Sequence, residues 1–443
     1  MYSVQRSEFR VQDGAEESLN SELRTPATPS IIPQLDALLE TRGEEVCDWF
    51  AAMRARTQPA FYASVDVRHA GYKIAPVDTN LFPAGFNNLS IPARLRAARK
   101  MRDYLARYYP QAKRVLLLPE RHTRNLYYLE NIAVLSGLLR NAGMEVRLGM
   151  MEEGEGETLQ LHSISGIPLE VEPITLMGDR VQTQSGFIPD LLVVNNDLTS
   201  GVPDWMTRIT QPIVPPVEMG WYRRRKWVHF AAYAELAEQF GAAFGIDPWL
   251  IQPLTRHCGS VNFKERTGVD QVAAEVDAMV RLIQAKYTQY GIADEPVVFI
   301  KASSGTYGMG IMTARSGEEV LAMNKKHRDR MHVIKEGVGN SEVVIQEGVP
   351  SVDRVGTYTA EPMLYLIGGC AVGGAWRVHP EKDAFSSLNS PGMQFTPLCD
   401  GASVDAPCGE VLKDCPPPVR IASLIAELAA LAATREEYDS YQI

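Results

Sequence analysis

The chain reads as an α/β protein, and three stretches predict it. "KRVLLLP" (113–119) is a short continuous apolar run of the kind that forms a buried strand; "NLYYLENIAVLSGLLRNAG" (125–143) has helical length and a glycine stop; "MEVRLGM" (144–150) is a second strand. Strand, helix and strand in that order imply parallel pairing through a right-handed crossover. At 443 residues the chain exceeds one small core and is expected to form two or three domains.

Residues 1–30 are polar and end in "TPATPS", so they read as a flexible tail. From Ile31 to about Met53, Leu35, Leu38, Leu39 and Val46 recur at helical spacing. The segment 57–90, "TQPAFYASVDVRHAGYKIAPVDTNLFPAGFNNLS", is rich in Pro, Gly and Asn and reads as a long loop. Beyond the βαβ unit, "PDLLVVNNDLTSG" (189–201) looks like another buried parallel strand running into a polar loop. Ligands of open α/β sheets sit beyond the carboxyl ends of the strands. That places Arg121, Arg124, Asn195, Asn196 and Asp197 as candidate contacts for a small polar substrate, the alternative being ordinary loop capping. Asp78, Asn80, Asn87 and Asn88, in the long loop, are further candidates. Helices are expected at 227–244 and 270–289, and strands dominate after Pro296. The main boundary is set at 213/214, between an N-terminal α/β substrate domain (31–213) and a second domain (214–443).

The composition, 45% hydrophobic and 22% charged, is that of an ordinary globular protein. The most apolar stretch, "IASLIAELAALAAT", carries Glu427 in its middle, so no membrane span is expected. The N-terminus lacks the apolar core of a secretory signal, which points to the cytoplasm. A formal charge of −10 argues against nucleic-acid binding, since phosphate recognition needs a basic face. The exception is "WYRRRKW" (221–227), readable as a solvated helix start or as an anion-binding run. Six scattered cysteines without a C-x-x-C pair predict reduced thiols rather than a disulfide framework or zinc site.

The chemistry concentrates in "VFIKASSGTYGMGIMTA" (298–314). A P-loop or a Rossmann fingerprint would be followed by a helix, whereas "IMTA" after Gly310 reads as strand. The kinase order fails too: Lys301 precedes the glycines, and "HRD" at 327–329 has Ile334 where the metal-binding Asn should stand. A strand, glycine loop and strand can fold over a triphosphate, with glycines admitting close backbone approach and hydroxyls adding donors. Next come a capping box, "SGEE" (316–319), opening a helix that carries Val320, Met323 and Met331; the strand "EVVIQEGV"; and "MLYLIGGCAVGGAWRV", a hairpin turning at Gly368-Gly369. Arg377 and His379 lead into "EKDAFSSLNSPGMQF".

On these residues the chain resembles the ATP-grasp superfamily over about Val297 to Phe395. "IKASSGTYGMGIM", "VVIQEGVPS", "NSPGMQF" and "APVDTNLFPAGFNNL" look more closely like the proteobacterial glutamate–cysteine ligases of ATP-grasp type. The resemblance implies a Rossmann-like N-terminal (pre-ATP-grasp) α/β domain followed by an ATP-grasp domain. It implies ATP and Mg2+, with glutamate and cysteine joined through an acyl phosphate. Lys301, Ser303, Ser304, Gly305, Thr306, Gly308 and Gly310 would hold phosphates under a flap, and Gln346, Glu347 and Val349 would face adenine and ribose. Arg377 and Lys301 would be catalytic, and Arg121, Arg124, Asn196, Asp78 and Asn87 would meet the amino acids. Such enzymes commonly place an acid two residues before the metal-binding Asn, but Ser387 precedes Asn389 here. Glu361, Asp383 and Asn389 are taken as the metal set, with Glu381 open as another carboxylate. Other carboxylate–amine ligases, and an ATP sensor without turnover, remain alternatives. A homo-oligomer is possible, since Leu424, Leu428 and Leu431 could pack internally or across a dimer.

Overall fold

A computed structural model describes residues 30–121, 124–304, 310–332, 341–401, 404–410 and 412–436. The expected tail, and Gly305, Thr306 and Gly308 of the flap, lie outside the described residues. In chain order, helix α1 (Ile31–Arg54) precedes a hairpin of β1 (Tyr62–His69) and β2 (Ile74–Asn80), then α2 (Ile91–Tyr108). The next group is β3 (Arg114–Pro119), α3 (Leu126–Asn141), β4 (Glu145–Glu153), β5 (Leu159–His162), β6 (Pro168–Met177), β7 (Arg180–Thr183), β8 (Leu191–Asn195) and β9 (Ile213–Val214). After α4 (Lys226–Phe244) come β10 (Thr255–Cys258), α5 (Val269–Tyr290), β11 (Val298–Ala302), β12 (Ile311–Ala314), α6 (Gly317–Leu321), α7 (Lys325–His332) and β13 (Val343–Glu347). The chain continues through β14 (Arg354–Val355), β15 (Tyr358–Ile367), β16 (Cys370–His379), β17 (Gln394–Pro397) and α8 (Pro417–Ala432).

These strands make three sheets in a mixed α/β fold. The first runs β5-β6-β4-β3-β8-β9, with parallel pairing between β3 and β4 and between β3 and β8. It contains the predicted βαβ unit, because continuous apolar runs such as Val115–Leu118 are buried on both faces. The second, β10-β13-β11-β12, is antiparallel and carries the glycine loop between β11 and β12. The third, β17-β16-β15-β1-β2, joins the two ends of the chain.

That third sheet corrects the reading of residues 57–90 as loop, since β1 and β2 are regular strands. In β1, Ser64, Asp66 and Arg68 alternate with Val65 and Val67, and both valines are fully buried in the core that includes Ile421, Ile425 and Leu428 of α8. The polar half of the alternation faces a cavity, which disguised the strand. The pairing of β1 with β15 also crosses the expected boundary at 213/214. The predicted single helix after Ser316 divides into α6 and α7, although the Ser316 cap on the Glu319 N–H is present.

Residues Pro417–Arg435 are long and apolar enough to cross a membrane, contrary to the run-length expectation, but 78% of the apolar window is buried inside the protein. Leu424, Leu428 and Leu431 pack internally. Glu427 is buried with them, and its carboxylate meets Arg54 at 3.3 Å and accepts from the Ala371 and Gly409 N–H groups. The expectation of reduced thiols is also overturned: Cys370 pairs with Cys408 and Cys399 with Cys415, at Cα separations of 5.2 and 5.7 Å. Separations of 38 and 16 residues carry no recognisable spacing, and only the fold brings the partners within bridging distance. Cys47 and Cys258 are free.

Candidate active site

Side chains opposite one another in antiparallel strands share a face. Ser64 is opposite Asn80, Asp66 is flanked by Asp78 and Met363, and Arg377 is flanked by Glu361 and Phe395. One face of the third sheet is therefore a patch of charge. A small cavity of about 50 Å3 opens there, lined among others by Asp66, Arg68, Asp78, Lys226, Lys301, Glu361, Arg377, Ser387 and Asn389. A larger lobe of about 220 Å3 shares Asp66, Asp78, Arg377 and Asn389 with it and reaches the carboxyl ends of β3 and β8 at Glu120 and Asn195.

The charges are paired almost completely. Arg377 donates to Asp66 at 2.6 Å and to Glu361 at 2.8 Å, and Arg68 donates to Glu361 at 2.7 Å. Burial pushes the Asp66 carboxyl up, with Arg377 pulling the other way and Glu361 adding to the rise. Burial also acts on Glu361, but Arg68 and Arg377 together hold its carboxyl below the usual range. Lys226 meets Asp78 at 2.5 Å, and the joint field of Lys226 and Lys301 keeps Asp78 ionised against burial. Lys301, at the end of β11, donates to Gln346 Oε1 at 2.5 Å and to the Val77 carbonyl at 2.9 Å. Burial lowers its pKa to about 8, with Lys226 and Arg68 adding to the fall and Asp78 opposing it.

The rim of the glycine loop is tied to this cluster. The Lys226 N–H donates to the Ser303 carbonyl at 2.7 Å, joining the start of α4 to the end of β11. Ser303 Oγ is buried with no hydrogen-bond partner among the described residues. The basic run "WYRRRKW" thus contributes Lys226 to the cavity, and Arg224 forks onto the buried carboxylate of Glu436.

A second loop borders the larger lobe. Residues 83–88 are pinned by three side chains: Asn131 Oδ1 accepts from the Gly85 and Phe86 N–H groups, Asn195 donates to the Pro83 carbonyl, and Tyr365 donates to the Ala84 carbonyl. Asn87 and Asn88 are thereby presented to the lobe. Gly85 has φ +97°, and a Cβ there would lie 2.4 Å from Tyr365 Oη. Gly85→Ala is expected to lower stability by about 2–4 kcal/mol through backbone strain and overpacking. Denaturant unfolding should show it as a lower midpoint; an unchanged midpoint would mean that the loop yields freely.

Among the predicted site residues, Lys301, Arg377, Glu361, Asn389, Asp78 and Asn87 converge on the two lobes. Ser303, Ser304 and Gly310 flank the loop mouth. Gln346, Glu347 and Val349 are buried and are not part of either lining; Glu347 is held by Lys73 at 2.6 Å. Arg121 and Arg124 are exposed, and Arg121 pairs with Glu152. Asn196 caps the Leu198 N–H in a turn, and Asp383 accepts from the Phe385 N–H and the Ser386 hydroxyl outside the cavity. Asn80, Asn88, Asn195 and Asp197, also named from the sequence, line the larger lobe, whereas Asp66 and Arg68 were missed and Lys226 was reached only through its run "WYRRRKW". The alternation in "SVDVR" was the signal available for Asp66 and Arg68.

The family model for glutamate–cysteine ligase matches residues 36–437. The chain belongs to the glutamate–cysteine ligase family. A solved structure of a provisionally named gamma-glutamylcysteine synthetase from Methylobacillus flagellatus KT is similar at 38% identity and a TM-score of 0.82, over 94% of this chain and 98% of that one. D-alanyl-alanine synthetase A from Vibrio cholerae, at 12% identity and a TM-score of 0.29 over 64% of this chain and 73% of that one, is too distant to bear on the fold. No curated protein matches the chain. Family membership covers all three sheets, so the paired lobes belong to a glutamate–cysteine ligase scaffold rather than to an added domain.

Proposed function

We propose that the chain joins the γ-carboxylate of glutamate to the amine of cysteine at the expense of ATP, through an acyl phosphate. In this reading the sheet β10-β13-β11-β12 and its glycine loop act as an ATP-grasp lid, and the parallel sheet is the Rossmann-like, pre-ATP-grasp unit. The observation that carries it is the meeting of the two lobes at Asp66, Asp78, Arg377 and Asn389, with both Lys226 and Lys301 on the smaller lobe alone. Cations at one end suit polyphosphate; the amide-rich lobe suits a small zwitterion.

Amide formation from a free carboxylate is uphill in water, so the carboxylate needs activation. Lys301 and Lys226 would hold the phosphates, and Ser303 Oγ, buried without a hydrogen-bond partner among the described residues, would be a further donor. Arg377, fixed between Asp66 and Glu361, would face the phosphoryl group at the junction, where catalysis is mostly positioning and electrostatics. The loop from Ser303 to Gly310 would exclude water that hydrolyses the intermediate.

Mg2+ fits the donor set by chemistry: Asp66, Asp78, Glu361 and Asn389 offer hard oxygen atoms on the cavity wall. Among the described residues no three His, Cys, Asp or Glu side chains are grouped to hold a metal alone. This suits an ion that takes one or two carboxylates and completes its shell with phosphates and water. When bound it would neutralise phosphate charge.

The test is product analysis. ADP and phosphate should form only when glutamate and cysteine are both present, and glutamate labelled with 18O in its γ-carboxylate should pass one label to phosphate. ADP release that ignored both amino acids would sink this reading, and no release with either would leave the ATP sensor or another ligase in its place.

A further inference from the structure

The larger lobe is chemically two-sided. Its lining includes the amides of Asn80, Asn87 and Asn88 and, from β15 and the β17 region, the sulfur and aromatic carbon of Met363, Met393 and Phe395, taken together as its apolar wall. Phe395 is opposite Arg377 in the strand register, and the Arg377 guanidinium lies 5.9 Å from its ring centre. Arg377 Nη2 also donates to Met363 Sδ at 3.3 Å, so that sulfur is already engaged. Met363 and Phe395 adjoin the guanidinium at the junction of the lobes, and the three wall side chains themselves offer only thioether sulfur and ring carbon, weak partners for a hydroxyl.

We infer that this wall receives the side chain of the amine-donating substrate and that Met393 selects its thiol. The inference rests on the ligase reading proposed above. Glutamate carries two carboxylates and an ammonium on a short stem and belongs on the amide side. Cysteine carries a small, polarisable side chain, which gains from contact with thioether sulfur and an aromatic edge. A side chain resting there keeps its amine beside Arg377, where the activated carboxylate must stand. Serine, the oxygen isostere, would place its hydroxyl against thioether and ring, and burying a hydroxyl without a partner is costly. Met393 is the residue to change, because Met363 touches Arg377 and Phe395 lies against it.

Met393→Ala is expected to raise KM for cysteine about tenfold, to leave KM for glutamate and ATP within about twofold, and to lower the cysteine-over-serine preference in kcat/KM by a similar factor. Met393→Leu, which keeps volume and apolarity, should restore cysteine KM to within about threefold of wild type. A variant that raises KM for glutamate instead, or for all three substrates alike, would overturn the assignment. Wild-type protein that makes no product from glutamate and cysteine would overturn the ligase reading and this one together. Product formation by wild type with a shift confined to glutamate would sink this one alone.

Discussion

Arg377→Lys is expected to reduce kcat by about 10^3-fold, the range observed when a single preorganised charge or donor is removed from a phosphoryl- or acyl-transfer site. Arg377 spans two carboxylates at once, donating to Asp66 through both Nη1 and Nη2 and to Glu361 through Nη1. A lysine keeps the charge but offers a compact point in place of a planar fork, so it cannot hold both carboxylates and still face the cavity. Arg377→Ala should do more. Asp66 would lose the partner that opposes its burial, and breaking a buried pair costs about 3–5 kcal/mol. A fall in thermal midpoint for alanine, with little for lysine, would separate folding from chemistry. Turnover by Arg377→Lys within tenfold of wild type would remove this residue from the phosphoryl site.

Lys301→Ala is expected to lower kcat/KM for ATP by about 10^3-fold or more, as loss of a buried phosphate-facing charge should. Its pH behaviour offers an independent check. Burial, reinforced by Lys226, brings the lysine to about 8 from an ordinary 10.5. Between roughly pH 8 and 10.5 the unfolded chain therefore binds more protons than the folded one, so the stability contribution of this group rises with pH across that window. Below about pH 8 the cost of burying the charge is fully present. ATP affinity should move in the opposite sense, weakening as pH rises through 8 because the phosphate-binding charge is lost. Titration calorimetry with a non-hydrolysable analogue from pH 6.5 to 9.5 would show it. An affinity flat over that range, or an unchanged rate in Lys301→Ala, would take Lys301 out of the site.

How much could be read from the sequence follows from what each segment faces. β3 and β8 were legible because their apolar runs are buried on both sides, α3 because it closes on a glycine, and β4 because apolar residues follow that glycine directly. The strand, glycine loop and strand around Lys301 was legible from residue order alone. β1 and β2 were not, because the residues that line the two lobes, Ser64, Asp66, Arg68, Asp78 and Asn80, interrupt the apolar pattern that marks a strand. The same cause hid Asp66 and Arg68 from the site while Asp78 was found for a different reason, its place in a polar segment. Arg121 and Asn196 show the opposite error: they stand at strand ends, where ligands gather, but one is spent on a surface pair and the other on a turn. The disulfides depend on contacts between β16, β17 and the segment before α8, which no spacing rule encodes.

The third sheet has a consequence for how the protein is made. Asp66 and Arg377 are 311 residues apart in the chain. At about 5–20 residues per second, a ribosome that has released β1 needs about fifteen seconds to a minute before β15 and β16 emerge to pair with it. During that interval the hairpin of β1 and β2 presents an unpaired edge and two buried-type valines to solvent, a state open to mispairing. Long-range strand pairing of this kind is slow to form even after synthesis. The cavity-lining face of that sheet is thus among the last parts of the molecule to exist, and a nascent chain stalled before residue 358 carries half of that lining with no partner for it.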